Sequence, residues 1–181
     1  MNNRATDEFL IEAVEVCPWN AWIAMTPCPG RSRFLHWHRD LEGDFDAIAA
    51  WRAAAVVTLM RERELREPSL TQLRHAAEVR DLGWYHLPIT DGGAPDGGFE
   101  VSWKQSGPAL RAILRAGGRV LVHCQAGLGR SGTIAARLLV ELGEAPATAI
   151  DRVRAARPGA IETDAQISHV RACRAIAETE G

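Results

Sequence analysis

Short apolar stretches recur along the chain and predict the strands of a buried sheet. They cover residues 22–25, 55–59, 84–89 and 119–123. The second stretch is rich in β-branched residues and shows no polar alternation, which is typical of a parallel strand covered on both faces. The proline- and glycine-containing residues 27–30 force a turn after the first strand.

Amphipathic segments between these strands predict the first two helices. Asp44 is expected to cap the first helix. The apolar side of that helix carries Phe45, Ile48, Ala49 and Trp51. A capping box formed by Ser69 and Gln72 opens the second helix. The positions that face inward in it are Leu70, Leu73, Ala77 and Val79.

The second half of the chain carries further helical signals. Helices are predicted over residues 99–116, 131–142, 146–157 and 163–178. A kink or a restart is expected at Gly107-Pro108 in the first of these, because proline removes a backbone donor. Thr163 and Gln166 form a second capping box at the start of the last helix. Residues 90–98 hold four glycines and are predicted to form a loop.

Strands that alternate with helices through short connections predict an α/β fold. We expect a central, largely parallel, mixed sheet that is flanked by helices. The length of 181 residues is that of one ordinary domain, so residues 1–181 are predicted to form a single domain.

Charge and cysteine usage exclude several classes of function. A net charge of −2 and a pI of about 6.3 argue against a general nucleic-acid or membrane-surface binder. The longest apolar run, residues 53–60, is far shorter than the ~20 residues of a membrane helix. Residues 1–8 lack the apolar core of a secretory signal. Four scattered cysteines form neither a disulfide framework nor a zinc motif, so a cytoplasmic setting is expected.

Two minor features complete this picture. His36 and His38 flank a tryptophan, but no third ligand accompanies them, and we predict no metal and no cofactor. Lys104 is the lone lysine of an arginine- and alanine-rich chain, a bias that favours a bacterial origin.

The chemistry of the chain concentrates where the strand over residues 119–123 ends. Cys124 closes the strand and Arg130 begins the next helix. Successive backbone N–H groups at a helix amino terminus can converge on one anion. The residues of this anion-binding loop are Gln125, Ala126, Gly127, Leu128, Gly129 and Arg130. The guanidinium of Arg130 matches two phosphate oxygens, and the same positive field favours the thiolate of Cys124, which is the nucleophilic form. Ser131 is placed to donate a hydrogen bond to that sulfur.

The sequence His123-Cys124-x-x-Gly127-x-x-Arg130-Ser131-Gly132 resembles the signature loop of the cysteine-dependent protein tyrosine phosphatases, including their dual-specificity branch. The resemblance covers residues 20–175. It implies that Cys124 takes the phosphoryl group and that water then hydrolyses the thiophosphate, without a metal.

The first of these steps needs an acid that protonates the leaving oxygen. The glycine-rich loop upstream holds two aspartates, Asp91 and Asp96, and chemistry alone does not choose between them. The loop closely resembles the acid loop of the kinase-associated phosphatases, in which the aspartate before Gly-Gly is the acid. This resemblance implies that Asp91 is the acid.

The tail of the domain departs from the family pattern. Phosphatases with this tail commonly read Gln-Thr-x-x-Gln and position the hydrolytic water with the first glutamine. Here the tail begins with Glu162 and ends with Gln166, so both are candidates for water positioning. The carboxylate of Glu162 would repel a phosphoenzyme or act as a base for water. Alternatively, it is only an acid favoured by the helix dipole.

A cluster of alternating charges follows the strand over residues 55–59. Arg61, Arg63 and Arg66 lie on the rim of the expected site, but glutamates alternate with them. We interpret this segment as a solvated, salt-bridged turn.

The leading hypothesis is a cysteine-dependent phosphatase that hydrolyses phosphotyrosine and/or phosphoserine and phosphothreonine in proteins. The expected partner is therefore a phosphorylated protein, with no nucleic acid and no membrane. The loop lacks the lysines of phosphoinositide-specific phosphatases, which argues against a lipid head group. The alternatives are a phosphate-binding adapter with weak catalysis and a phosphatase of non-protein phosphomonoesters.

Overall fold

A computed structural model describes residues 9–31, 39–66 and 68–177. Its centre is a five-stranded mixed sheet in the order β1-β2-β5-β3-β4. The strands are β1 (Glu12–Val16), β2 (Ala21–Thr26), β3 (Ala55–Thr58), β4 (Gly83–His86) and β5 (Arg119–His123). β1 runs antiparallel to β2, and every other neighbouring pair is parallel.

The register of the sheet determines which loops meet at its carboxyl edge. His123, the last residue of β5, pairs with Thr26 of β2 and with Thr58 of β3. These three strands therefore end at one level, and the loops that follow them converge there. Ligand sites of open α/β sheets form at such an edge.

In the part of the chain that the structure describes, six α-helices cover the two faces of the sheet. They are α1 (Leu41–Ala50), α2 (Leu70–Glu78), α3 (Gly97–Arg115), α4 (Gly129–Glu141), α5 (Pro146–Ala156) and α6 (Asp164–Ala172). One apolar cluster joins α1 and α2 to one face of the sheet, and a larger cluster joins α3–α6 to the other. All residues of α4 are buried, so the helix that follows β5 lies at the centre of the second layer.

The predicted α/β fold with a largely parallel, mixed sheet is confirmed, and the four predicted strands correspond to β2–β5. The edge strand β1 was not predicted. Val79 was expected to face inward but is 57% exposed, because it follows the last residue of α2. No helix in the described ranges combines the length and apolar character that crossing a membrane requires.

The cap of α1 is Asp40, whereas the sequence predicted Asp44. Asp40 accepts a hydrogen bond from the backbone N–H of Glu42. Asp44 lies inside the helix and is buried, where it accepts from Gly30 N at 2.9 Å and pairs with Arg39 at 2.7 Å. Its role is therefore to hold the loop that follows β2.

Two helix boundaries also differ from the prediction. α3 runs through Pro108 without a restart, since the exposed proline removes only one backbone donor. α6 ends at Ala172 and not at residue 178. Cys173, which follows it, has an extended backbone, and Ile176 donates its backbone N–H to Glu141 O at 2.9 Å.

Candidate active site

The loop between β5 and α4 is held from outside through its carbonyl groups. Cys28 N donates to Gln125 O at 3.3 Å. Arg157 donates from Nη2 to Ala126 O and from Nε to Gly127 O, both at 3.0 Å. Because the C=O and N–H of one peptide point in opposite directions, the N–H groups that follow these carbonyls face the inside of the loop.

Gly127 is required by the same geometry. Its φ of +72° lies in the left-handed region. A Cβ at this position would lie 2.4 Å from the carbonyl carbon of Thr26, which is backbone and cannot move aside. The loop therefore sits directly on the end of β2.

The first turn of α4 closes the loop around Cys124. The first bond of this helix runs from Gly132 N to Leu128 O, so the N–H groups of residues 129–131 have no partner within the helix. Cys124 is buried, and its Sγ lies 3.6 Å from Ser131 Oγ. The sulfur, the hydroxyl and the helix amino terminus thus share one position, as the sequence predicts.

The guanidinium of Arg130 is buried and oriented on one side only. Its Nη1 donates to both carboxylate oxygens of Glu64, at 2.8 and 3.0 Å, and to Ile89 O at 3.1 Å. Nη2 lies 3.0 Å from Asp91 Oδ1 as an ion pair. Within the described residues, Nε makes no hydrogen bond, and the contact of Nη2 with Asp91 is an ion pair without hydrogen-bond geometry. These two donors form the edge of the guanidinium that fits two oxygens of a phosphate.

The two aspartates of the upstream loop occupy different places. Asp91 is largely exposed and contacts Arg130. Asp96 is the N-cap of α3, where Oδ1 accepts from Phe99 N at 2.9 Å. The carboxylate of Asp96 is therefore used at a helix start, whereas that of Asp91 faces the loop of Cys124.

The tail residues contact both loops. Glu162 is exposed, and its carboxylate lies over the amino terminus of α4, since a Cβ on Gly129 would lie 2.3 Å from Glu162 Oε2. The buried Gln166 donates from Nε2 to Gly93 O at 3.1 Å. Thr163 Oγ1 donates to Gly92 O at 3.1 Å. The start of α6 therefore lies against the loop that carries Asp91.

His123 fixes the end of β5 from below. Its Nε2 lies 2.8 Å from Thr58 Oγ1, which also accepts from Trp84 Nε1 at 3.1 Å. Burial lowers the pKa of His123 to about 3, so the ring is neutral at physiological pH. A neutral ring adds no charge beside the sulfur and acts through position alone.

Sequence reasoning missed Glu64 and Arg157. Glu64 lies in a charged segment that we interpreted as a solvated turn, but its side chain is only 17% exposed and it orients Arg130. Arg157 closes a predicted helix, and nothing in its sequence context indicates contact with a loop 30 residues earlier. His36 and His38 lie outside the described residues.

Comparisons with known proteins identify the family of the chain. Residues 37–177 match the family described as "Swiss Army Knife protein, DSP-PTPase phosphatase domain" (PTP-SAK). Cyclin-dependent kinase inhibitor 3 of Sus scrofa is 31% identical over 158 residues, which cover 84% of this chain and 71% of that protein. Tyrosine-protein phosphatase CDC14 of Saccharomyces cerevisiae is 34% identical over 94 residues, or 50% of this chain and 16% of that protein.

A crystal structure of kinase-associated phosphatase, with its catalytic-site cysteine substituted by serine, has a similar fold. It matches with a TM-score of 0.77 at 26% identity and covers 90% of this chain and 92% of that chain. The family match spans most of the sequence, and the structural match spans nearly all of the fold. The chain therefore belongs to the DSP-PTPase phosphatase domains, the dual-specificity branch of the cysteine-dependent protein tyrosine phosphatases.

Proposed function

We propose that the protein hydrolyses phosphotyrosine and/or phosphoserine and phosphothreonine in proteins through a cysteinyl-phosphate intermediate. The observation that carries this proposal is the guanidinium of Arg130. Its Nε and Nη2 are buried and make no hydrogen bond among the described residues, although Nη2 forms an ion pair with Asp91, and the next residue, Ser131, lies 3.6 Å from Cys124 Sγ. A phosphate bound to Arg130 accepts a hydrogen bond from each of these two nitrogens and places its phosphorus next to the sulfur of Cys124.

In the first step, the thiolate of Cys124 attacks phosphorus, the S–P bond forms and the P–O bond to the substrate breaks. Asp91 gives its proton to the leaving oxygen. The inward N–H groups and Arg130 neutralise the charge of the phosphoryl oxygens. Ser131 donates to the sulfur and so stabilises it as a leaving group in the second step.

In the second step, a water molecule attacks phosphorus and the S–P bond breaks. The carboxylate of Asp91 takes the proton of this water, and inorganic phosphate leaves. The carboxylate of Glu162 lies over the amino terminus of α4 and is therefore placed to act in this second step. Every step uses side chains of the chain itself, so the proposed reaction requires no metal.

Similarity to relatives supports the substrate class. One is named as an inhibitor of a cyclin-dependent kinase and another as a kinase-associated phosphatase. Both names place a protein partner beside a phosphatase domain of this type. The proposed substrate is accordingly a phosphorylated protein.

The test is hydrolysis of para-nitrophenyl phosphate and of phosphotyrosine, phosphoserine and phosphothreonine peptides in EDTA and reducing agent. Wild type is compared with Cys124→Ser and with Arg130→Lys. We expect turnover by wild type, none by Cys124→Ser, and a large loss in Arg130→Lys, because lysine cannot bind two oxygens in parallel. Turnover that survives in Cys124→Ser would overturn the proposal. A folded but inactive wild type that binds phosphopeptide would indicate an adapter.

Asp91→Ala and Asp96→Ala test the acid. We expect Asp91→Ala to slow phenyl phosphate much more than para-nitrophenyl phosphate, whose leaving group needs no proton. Asp96→Ala should lower stability by about 1 kcal/mol through loss of a helix cap, with no such dependence on the leaving group. The opposite pattern would assign the acid to Asp96.

A further inference from the structure

The amino terminus of α6 contacts two successive peptides of the loop that carries Asp91. From these contacts we infer that Thr163 and Gln166 form a latch that positions Asp91 for proton transfer. The inference rests on the proposed function, since it assigns these residues a role in the step in which Asp91 acts. Both are positioning residues, because they contact the loop and not the reacting atoms.

The amide of Gln166 is fully buried, and its orientation is fixed by its partners. Oε1 accepts from the backbone N–H of Glu162 at 2.8 Å and from that of Thr163 at 3.2 Å. Nε2 faces the carbonyl of Gly93. A flipped amide would set a donor against two donors and an acceptor against an acceptor, so only one orientation satisfies the network. Oε1 of Gln166 therefore binds the start of α6, and Nε2 binds the loop that carries Asp91.

Asp91 lies between two anchored points of an otherwise exposed turn. Before it, Ile89 O accepts from Arg130 Nη1. After it, Gly92 O and Gly93 O accept from Thr163 and Gln166. The turn itself is closed by Gly93 N, which donates to Thr90 O at 2.9 Å. Removal of the second anchor would leave Asp91 held from the side of Arg130, through Ile89 O and through its own ion pair.

A substitution of Gln166 can remove a latch contact while the cap of α6 is kept. A capping box accepts glutamate in place of glutamine. Gln166→Glu therefore keeps an acceptor for both backbone N–H groups and loses the donor to Gly93 O. Thr163→Val removes the other donor without adding charge, although it also removes the cap. Thr163→Ser keeps the hydroxyl and serves as the matched control.

The first measurement is kcat/KM with phenyl phosphate and with para-nitrophenyl phosphate. We expect Gln166→Glu and Thr163→Val to lose on the order of tenfold with phenyl phosphate and little with para-nitrophenyl phosphate. Thr163→Ser should resemble wild type. If only the charge added by Gln166→Glu matters, Thr163→Val will keep the wild-type kcat/KM. That result would overturn the latch.

The same kinetics distinguish the latch from water positioning by Gln166. A residue that positions the hydrolytic water acts only in the second step. Its loss would lower kcat, leave kcat/KM unchanged for both substrates and let the phosphoenzyme accumulate as a stoichiometric burst. That result, or a shift in thermal midpoint with a wild-type leaving-group dependence, would overturn the inference.

The second measurement does not depend on turnover. Amide hydrogen exchange of the segment 87–96 is followed in wild type and in the three variants. We expect faster exchange in Gln166→Glu and Thr163→Val and wild-type exchange in Thr163→Ser. Unchanged exchange in the first two variants overturns the latch even if wild type proves inactive, whereas an inactive wild type alone overturns only the proposed function.

Discussion

Glu64 decides how Arg130 presents itself to a substrate. Both carboxylate oxygens contact Nη1, which leaves Nε and Nη2 on the opposite edge of the guanidinium for a substrate. A charged acceptor beside a buried cation makes a stronger hydrogen bond than a neutral one. The carboxylate therefore contributes position, although it also offsets part of the positive charge that attracts phosphate.

We expect position to outweigh charge, so Glu64→Gln should lower kcat/KM for para-nitrophenyl phosphate about tenfold. The amide keeps one acceptor, but its NH₂ group faces the guanidinium. Steady-state kinetics check this, with Glu62→Gln as the control, because Glu62 is an exposed neighbour on the same turn. Equal effects in the two variants would contradict the role assigned to Glu64.

Gly127 allows a second residue-level prediction. In Gly127→Ala the new Cβ meets the backbone of Thr26, whereas in Gly159→Ala, at a similar φ of +86°, it meets only a side chain at 3.9 Å. Gly159→Ala should cost about 1–2 kcal/mol of unfolding free energy for backbone conformation alone. Gly127→Ala should cost more and also weaken vanadate binding. Urea denaturation and inhibition by vanadate measure the two effects, and equal costs would refute the close contact.

At the scale of elements, Arg157 connects the end of α5 to the loop between β5 and α4. It is 4% exposed, donates to two loop carbonyls and pairs with Glu12 of β1. The edge strand, the helix and the loop thus share one side chain. These contacts hold the carbonyls of Ala126 and Gly127 in the loop between β5 and α4.

Arg157→Met should therefore weaken vanadate binding about tenfold, because two carbonyls of the loop lose their donors while the aliphatic packing remains. Glu12→Gln is the control, since it disturbs the ion pair with β1 and leaves the loop contacts in place. Inhibition constants for vanadate give the comparison. The prediction fails if Glu12→Gln weakens binding as much as Arg157→Met.

Elements with strong local signals were predictable from the sequence. The apolar strands β3 and β5 and the capping boxes of α2 and α6 each depend on neighbouring residues, and the structure confirms them. β1 contains the acidic residues Glu12 and Glu15 and has a weak apolar pattern, as is common at a sheet edge. Its pairing with β2 depends on tertiary contacts that a local pattern does not contain.

The site follows the same rule. Cys124, Arg130 and Ser131 lie within one strand–loop–helix motif, so their proximity is a local property. Glu64 and Arg157 reach the loop from distant parts of the chain, and their sequence contexts resemble ordinary surface charge. Asp91 was distinguished from Asp96 by resemblance, and the structure adds a physical reason, since Asp96 is engaged as a helix cap.

At the scale of the whole molecule, a buried charge network joins the helices that carry the site. Glu141 of α4 accepts from Trp103 Nε1 at 2.8 Å and from Arg137 Nε at 2.7 Å, and it pairs with Arg111. Arg137 also binds Glu100, in the first turn of α3, at 2.5 Å. The helix after the loop that carries Asp91 is thereby fixed to the helix of Arg130, so the same contacts support both loops.

The buried His123 and the half-buried His169 make the stability of the fold depend on pH. Burial lowers the pKa of His123 to about 3 and also lowers the pKa of His169, where Arg137 acts in the same direction. For His123, the unfolded chain gains a proton near pH 6.5, whereas the folded chain does not until about pH 3. Stability is therefore complete at neutral pH and falls as the pH decreases through this window.

Between pH 7.5 and pH 5, His123 alone should remove about 2 kcal/mol from the free energy of unfolding. Urea denaturation at the two pH values measures the loss in wild type and in His123→Gln, whose amide reaches towards Thr58 and gains no proton. We expect the variant to be less stable at pH 7.5 but to lose less on acidification. His75→Gln, on the exposed face of α2, should lose as much as wild type. If His123→Gln loses as much stability as wild type on acidification, the acid sensitivity arises elsewhere. Wild type and His123→Gln differ only in the histidine that stays neutral in the folded state.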